Sequence, residues 1–285
     1  MLRHGWFLWV CISLVGTEAM PQSTTMWSPE QNGWVAQQKK MYLMTSGEVD
    51  TLLAQLHAFF PDFGDRLRAL SILRLNTPYD WKAIGDGGGY EPNPVFTVEK
   101  TNCTVQVLTN AALSHAFSYS EAESLMTYIN YYPVKAGEKA VRYENRRHYT
   151  SDRILTCEYF EEFTTHIARA EELDSVRLTL NRKQDGTHFL PVDWEKELVL
   201  PYVPKKFITK ELLQRLPAVC GVGIIREKLF KLGIIIAHEG MIFDGETFVH
   251  ASSRADKVIA ESFLDYCAED VQLYGIVFYL FKEVK

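Results

Sequence analysis

Cysteine is scarce, with five in 285 residues, widely separated and never spaced as Cys-x-x-Cys. That excludes a disulfide framework and a cysteine-ligated zinc site. Basic charge is also short: 30 basic residues against 36 acidic ones leave a net charge of −6, which argues against general nucleic-acid binding. Beyond the N-terminus no apolar run reaches the roughly eighteen residues that a membrane span needs. Internal repeats and low-complexity runs are missing. His238-Glu239 lacks the His-Glu-x-x-His spacing of a zinc helix. The glycine-rich stretch Ile84–Tyr90 lacks the spacing of a phosphate cradle, so it reads instead as the rim of a binding cleft. What remains is ordinary globular composition, 47% hydrophobic and 23% charged, in a chain long enough for a sizeable core.

The N-terminus stands apart. Arg3 and His4 precede an apolar run from Gly5 to Gly16, and Thr17-Glu18-Ala19 ends in a small residue. This is the layout of a secretory signal peptide over residues 1–19, the plainer alternative being a buried helix. Export implies a periplasmic or secreted protein in an oxidising compartment, with no membrane span once the signal is removed. If Cys103 is a working thiol, Cys157, Cys220 and Cys267 leave room for at most one disulfide.

Residues 20–40 are polar and read as an N-terminal tail or strap anchored by Met26, Trp27 and Trp34, ahead of one domain at 41–285. Thr45 and Glu48 form a capping box before the helical stripe Val49, Leu52, Leu53, Leu56, Phe59 and Phe60. A second helix starts near Gly64, and Ser120 with Glu123 opens a later one. The segment 157–169 reads as helical, and Thr209 caps a short helix. Strand-like runs follow at 222–225, 232–237, 241–243, 247–249 and 274–281, with a helix expected over 259–268. A helical first half packed on a central antiparallel sheet is an α+β fold.

The chemistry gathers around Cys103. Thr101 or Asn102 caps a helix with Val105, Leu108, Ala112 and Leu113 inward, placing Cys103 in its first turn. Free N–H groups and the helix dipole there favour a thiolate. The bland reading is a small buried residue on an apolar face. Two histidines in strand-like sequence, His238 and His250, supply the base such a thiolate needs. Asp244-Gly245 between them signals a hairpin, and its register decides whether they meet. A two-residue loop pairing Phe243 with Glu246 sends them to opposite faces. A three-residue loop pairing Ile242 with Glu246 sets them directly opposite on one face, and this is the expected geometry. His238 is then the base and His250 orients it. Beyond the N-terminal segment, His57, His115, His148, His166 and His188 have no partner spacing. Asn102-Cys103-Thr104 matches a glycosylation sequon, although a helix cap is a poor acceptor. Four arginines, two tyrosines and a histidine crowd residues 141–153, either as a solvated loop or as a wall that binds carboxylates or sugar.

Six pieces in order resemble the DUF1460 branch of the NlpC/P60 cysteine peptidases and amidases, over about Leu73–Phe281. They are Asn76-Thr-Pro-Tyr79, Lys100-Thr-Asn-Cys-Thr104, Arg147-His-Tyr-Thr-Ser-Asp152, Tyr202-Val-Pro-Lys-Lys206, Ala237-His-Glu-Gly240 and His250-Ala-Ser-Ser253. The resemblance implies a papain-like fold with Cys103 as nucleophile, His238 as base and His250 as third residue. It also implies hydrolysis of the amide joining N-acetylmuramic acid to L-alanine in peptidoglycan or muropeptides, by a monomer needing no metal or other cofactor. Tyr79, Asn102, Arg147, His148, Tyr149 and Ser252 are the substrate-binding residues it suggests, with the Arg146–Asp152 stretch meeting the stem peptide's carboxylates. Two alternatives stand beside it. One is an endopeptidase cutting between D-glutamate and the diamino acid, and the other is a silent wall-binding or secreted effector module. The chain departs from the family at Asn102, where Asp is usual, and at Glu239, where a small apolar residue is usual and an acid is harmless if it alternates outward.

Overall fold

The computed structural model describes residues 27–84 and 95–284. The signal segment expected at 1–19 and the glycine-rich loop at 85–90 lie outside them. No helix among the described residues is long and apolar enough to cross a membrane.

The segment read as a tail contains a helix, α1 (Pro29–Gln37), capped reciprocally by Ser28 and Gln31. Its aromatic anchors decide its place: Trp27 lies 4.8 Å from Phe60 and Trp34 5.1 Å from Phe59, ring centre to ring centre. The Thr45–Glu48 box opens α2 (Ser46–Phe59), whose Val49, Leu52, Leu53 and Leu56 are buried. Asp62 caps α3 (Phe63–Leu73), and Asn102 caps α4 (Cys103–His115). In α5 (Tyr119–Asn130) the cap is Ser118, not Ser120, and its hydroxyl accepts from the Glu121 N–H. The choice is geometric, because the capping oxygen must precede the first helical turn to reach its free N–H groups.

The expected helix over 157–169 does not form. Its space is taken by α6 (Thr150–Thr156), which ends at Cys157, then strand β1 (Phe160–Glu162) and a single turn α7 (Thr164–Ile167). Phe160–Glu162 give their backbone bonds to the sheet instead.

That sheet continues with β2 (Asp174–Leu180), β3 (Lys196–Pro204), β4 (Val219–Ile225), β5 (Ile236–Phe243), β6 (Thr247–Ser252), β7 (Lys257–Ser262) and β8 (Gly275–Phe281). The eight strands run in the order β2-β3-β8-β4-β5-β6-β7, with β1 also on β8, and every pairing is antiparallel. The helical first half and the antiparallel sheet are therefore as the sequence indicates. Helix α4 packs on β5 and β6 from one side, beside α3 and α5. Helices α8 (Lys210–Leu213) and α9 (Phe263–Glu269) help to cover a second core with Val222, Ile224, Ile242, Phe248 and Phe278. Burial on both faces explains why the middle strands read as unbroken apolar runs.

Two boundaries differ from expectation near the site. Leu232 closes a tight 3-10 turn, Gly233 follows at φ 73°, and the strand begins only at Ile236. The helix expected over 259–268 is split: residues to Ser262 form β7, and Ser262 then caps α9.

The hairpin takes neither expected register. Met241 faces Val249, Ile242 faces Phe248 and Phe243 faces Thr247. Asp244 and Gly245 both adopt positive φ, 54° and 67°, and the Glu246 N–H returns to the Phe243 carbonyl at 3.0 Å. This double left-handed turn suits the twist of the strands, and Glu246 becomes the extra residue. Continued past its last paired residues, the register sets Gly240 against His250. His238 and His250 share a face as expected, but along a diagonal rather than directly opposite.

Candidate active site

Helix α4 delivers Cys103. Thr101 is tied to the Asn76–Tyr79 segment, its N–H donating to the Pro78 carbonyl at 2.9 Å. The Asn102 side chain then accepts from the Val105 N–H at 2.9 Å and starts the helix. Cys103 is half-buried in the first turn. The expected thiolate is not what the surroundings favour. Burial pushes the thiol up to about 11, and the Glu239 carboxylate adds to the rise, against hydrogen bonds from the Glu239 backbone and from Thr104. A helix terminus is worth a fraction of what desolvation costs a buried anion. These surroundings favour the thiol over the thiolate at rest.

Strands β5, β6 and β7 deliver a line of three groups. His238 Nε2 lies 2.8 Å from His250 Nδ1, and His250 Nε2 lies 2.7 Å from Glu261 Oε1. The carboxylate can only accept, so His250 carries its proton on Nε2. Its Nδ1 then accepts from His238 Nε2–H, which leaves the lone pair on His238 Nδ1 free as the basic atom. Burial, then His250 and Arg226, push His238 down to about 3, so its imidazole is neutral at rest. Burial lowers His250 as well, and Glu261 opposes that. Phe248 stacks on the His250 ring with centroids 4.4 Å apart, and Tyr266 closes over it at 5.5 Å.

Gly240 makes room for this line. A Cβ there would fall 2.5 Å from the Phe248 ring and 2.8 Å from the His250 Cβ. Cys103 and His238 face a common cavity of about 440 Å³, which His250, Glu261 and Tyr266 also line. A soft nucleophile, a neutral imidazole and a relay ending in a carboxylate can together run acyl transfer. No group of three or more His, Cys, Asp or Glu side chains among the described residues is arranged to hold a metal ion. The His238–His250–Glu261 groups are strung in a line rather than converging on one point.

Residues 69–275 match the AmiA-like family, described as N-acetylmuramoyl-L-alanine amidase-like. The chain belongs to that family. A Legionella pneumophila protein assigned to DUF1460 has a similar fold, with TM-score 0.66 and 19% identity over 83% of this chain and 94% of that one. An N-acetylmuramoyl-L-alanine amidase from Bacteroides uniformis superposes with TM-score 0.57 and 19% identity over 78% of this chain and 99% of that one. No curated protein matches this chain.

Within this AmiA-like chain the suggested substrate residues separate. Tyr79 and Ser252 line the cavity beside the histidines, while His148 and Tyr149 line a second one of about 320 Å³ on the other side of Cys103. Asn102 and Arg147 line neither. Asn102 is spent on the helix cap, and Arg147 is buried with its guanidinium 4.4 Å from the Tyr132 ring. Arg146 reaches the second cavity but donates to the Ile84 carbonyl and lies 4.7 Å from the Tyr143 ring. Asp152 is fully buried and bonded to Lys196 at 2.5 Å and to the Tyr132 hydroxyl. This stretch builds the wall rather than presenting free guanidinium groups. Cys103, Cys157, Cys220 and Cys267 are all free thiols.

Glu239 does not alternate outward but faces the interior. It is 1% exposed and receives Arg153 at 2.5 Å, the Thr150 hydroxyl at 2.8 Å and the Tyr279 hydroxyl at 3.0 Å. A buried carboxylate persists only when paired and hydrogen-bonded, so a charge inside the apolar run 234–243 was the available signal. Glu261 was missed because its segment read as helix.

Proposed function

We propose that this chain is an exported cysteine amidase that hydrolyses the amide between N-acetylmuramic acid and L-alanine in peptidoglycan or its muropeptide fragments. Family membership supports the amidase class and a peptidoglycan-related substrate. The cysteine mechanism rests on one observation, the shared cavity of Cys103 and a His238 whose other nitrogen is engaged by His250. In this reading the chain is a member of the NlpC/P60 superfamily with a papain-like fold, residues 41–285 being its catalytic domain behind a signal at 1–19.

The neutral resting pair sets the course of the reaction. As Cys103 Sγ attacks the amide carbonyl, its proton passes to His238 Nδ1. The positive charge that develops on His238 is spread through His250 toward Glu261. The Cys103 N–H at the start of α4 is placed to meet the oxyanion. His238 then protonates the departing amine, the C–N bond breaks, and a thioester remains. Water attacks that thioester, giving its proton to His238, and restores the thiol.

The test is mass spectrometry of a defined disaccharide-peptide incubated with the protein and with Cys103→Ala. Free disaccharide and an intact stem peptide from the wild type alone support the reading. Cleavage inside the stem moves the assignment to an endopeptidase, and no product from the reduced wild type removes it.

A further inference from the structure

Two cavities of unlike character meet at the thiol, and Cys103, Ala237 and His238 line both. The larger also has Tyr79, Tyr266 and Val271 in its wall, but it is the one that gathers charge and amide, at Arg226, Arg254, Glu261, Asp270 and Gln272. The smaller also meets Arg146, His148 and Glu239, but rings and aliphatic chains make up most of its wall: Trp81, Tyr143, Tyr149, Phe189, Leu190 and Ile236. Trp81 is 69% exposed and Phe189 40%, so two large aromatic rings stand open at the edge of a nucleophile's pocket. Rings left this open at the rim of a pocket keep apolar surface in water, and together they mark a ligand face.

The proposed substrate has the same asymmetry. Its muramic acid half is an uncharged pyranose with C–H faces and an N-acetyl methyl group. Its other half is a peptide bearing carboxylates. Aromatic rings lie flat on the C–H face of a sugar, whereas fixed charges and a carboxamide suit the peptide. We infer that the aromatic cavity is the glycan subsite, with Trp81 and Phe189 stacking on the N-acetylated sugar, and that the charged cavity receives the stem peptide. This inference rests on the amidase reading above and gives it a direction. The lactyl acyl group stays on the aromatic side as the thioester, and the peptide amine leaves through the charged side.

Two substrates with the same scissile amide test it, a disaccharide-peptide and a sugar-free lactoyl-peptide. Trp81→Ala should raise KM for the first by about tenfold with kcat little changed, and leave the second unaffected. Equal losses on both substrates, or none on either, overturn the assignment. A binding measurement separates this from the amidase reading: peptide-free disaccharide is titrated into Cys103→Ala with and without Trp81→Ala. Roughly tenfold weaker binding in the double variant supports the subsite even if the wild type cleaves no amide. Binding indifferent to Trp81, or no binding to Cys103→Ala, refutes the subsite even if the amide is cut.

Discussion

His238 and His250 touch nitrogen to nitrogen at 2.8 Å although they sit diagonally across adjacent strands. The contact exists because the hairpin turn holds an extra residue and because Gly240 leaves an empty position opposite His250. Directly opposed imidazoles would stand side by side, whereas the diagonal lets one ring donate end-on into the next. It also continues to Glu261 on the third strand, so orientation of the base depends on three strands in register.

Breaking that line at its middle should be costly to catalysis and mild to the fold. His250→Ala is expected to lower kcat by roughly 10²-fold or more, and Glu261→Gln by about tenfold, since the carboxylate acts through His250. Steady-state rates beside thermal melts check this. Full activity in both variants contradicts the relay.

Gly240→Ala should damage both fold and site. The added methyl meets the Phe248 ring and the Val249 carbonyl, 2.5 and 2.7 Å away, so overpacking of about 1–3 kcal/mol is expected. Displacement of His250 should lower the rate further. A melt unchanged from wild type contradicts the tight approach of β5 and β6.

The Arg153–Glu239 pair predicts an ordering in the titration of Cys103. Arg153→Met strands a buried carboxylate, should cost roughly 3–5 kcal/mol, and should raise the Cys103 titration further. Replacing both residues, with Arg153→Met and Glu239→Leu, should recover stability and bring the thiol below its wild-type value. Alkylation rates against pH read the order directly. Identical profiles in all three proteins would reduce the pair to a structural role.

Acid stability should follow the buried histidines. Burial, and then Arg146, push His148 down to about 4 from 6.5, and its Nε2 donates to the Tyr143 carbonyl at 2.7 Å. Its folded value is depressed, so the unfolded chain binds the proton first. Stability contributed by neutral His148 is present above 6.5 and is lost as pH falls toward about 4, amounting to roughly 3 kcal/mol. His148→Gln should flatten the melting temperature over that window, and a curve parallel to wild type contradicts this.

Much of the site was legible because it rests on local signals. Asn102 before an apolar stripe announces a capped helix whatever surrounds it, so Cys103 was placed correctly. Positions 238 and 250 share a face once the loop between their strands holds an odd number of residues, as it does. What the sequence hid was long-range. The hairpin register depended on two consecutive left-handed residues, and moving the three-residue loop from 243–245 to 244–246 turned direct opposition into a diagonal. Glu261 lay in a run whose apolar spacing fits a helix, and only pairing with β6 makes it a strand. Phe160–Glu162 likewise became a strand because β8 was there to pair with. The surroundings that oppose a thiolate were hidden for the same reason, since desolvation and the Glu239 carboxylate come from elements far away in the chain.

The most direct test of the central claim is capture of the acyl-enzyme. Wild-type protein mixed with excess disaccharide-peptide, acid-quenched within one turnover and weighed intact, should gain the mass of the disaccharide lactyl acyl group. Digestion should locate that group on the peptide carrying Cys103. Cys103→Ala should show neither adduct nor product. Products released by Cys103→Ala, or an adduct on any residue other than Cys103, would contradict the account.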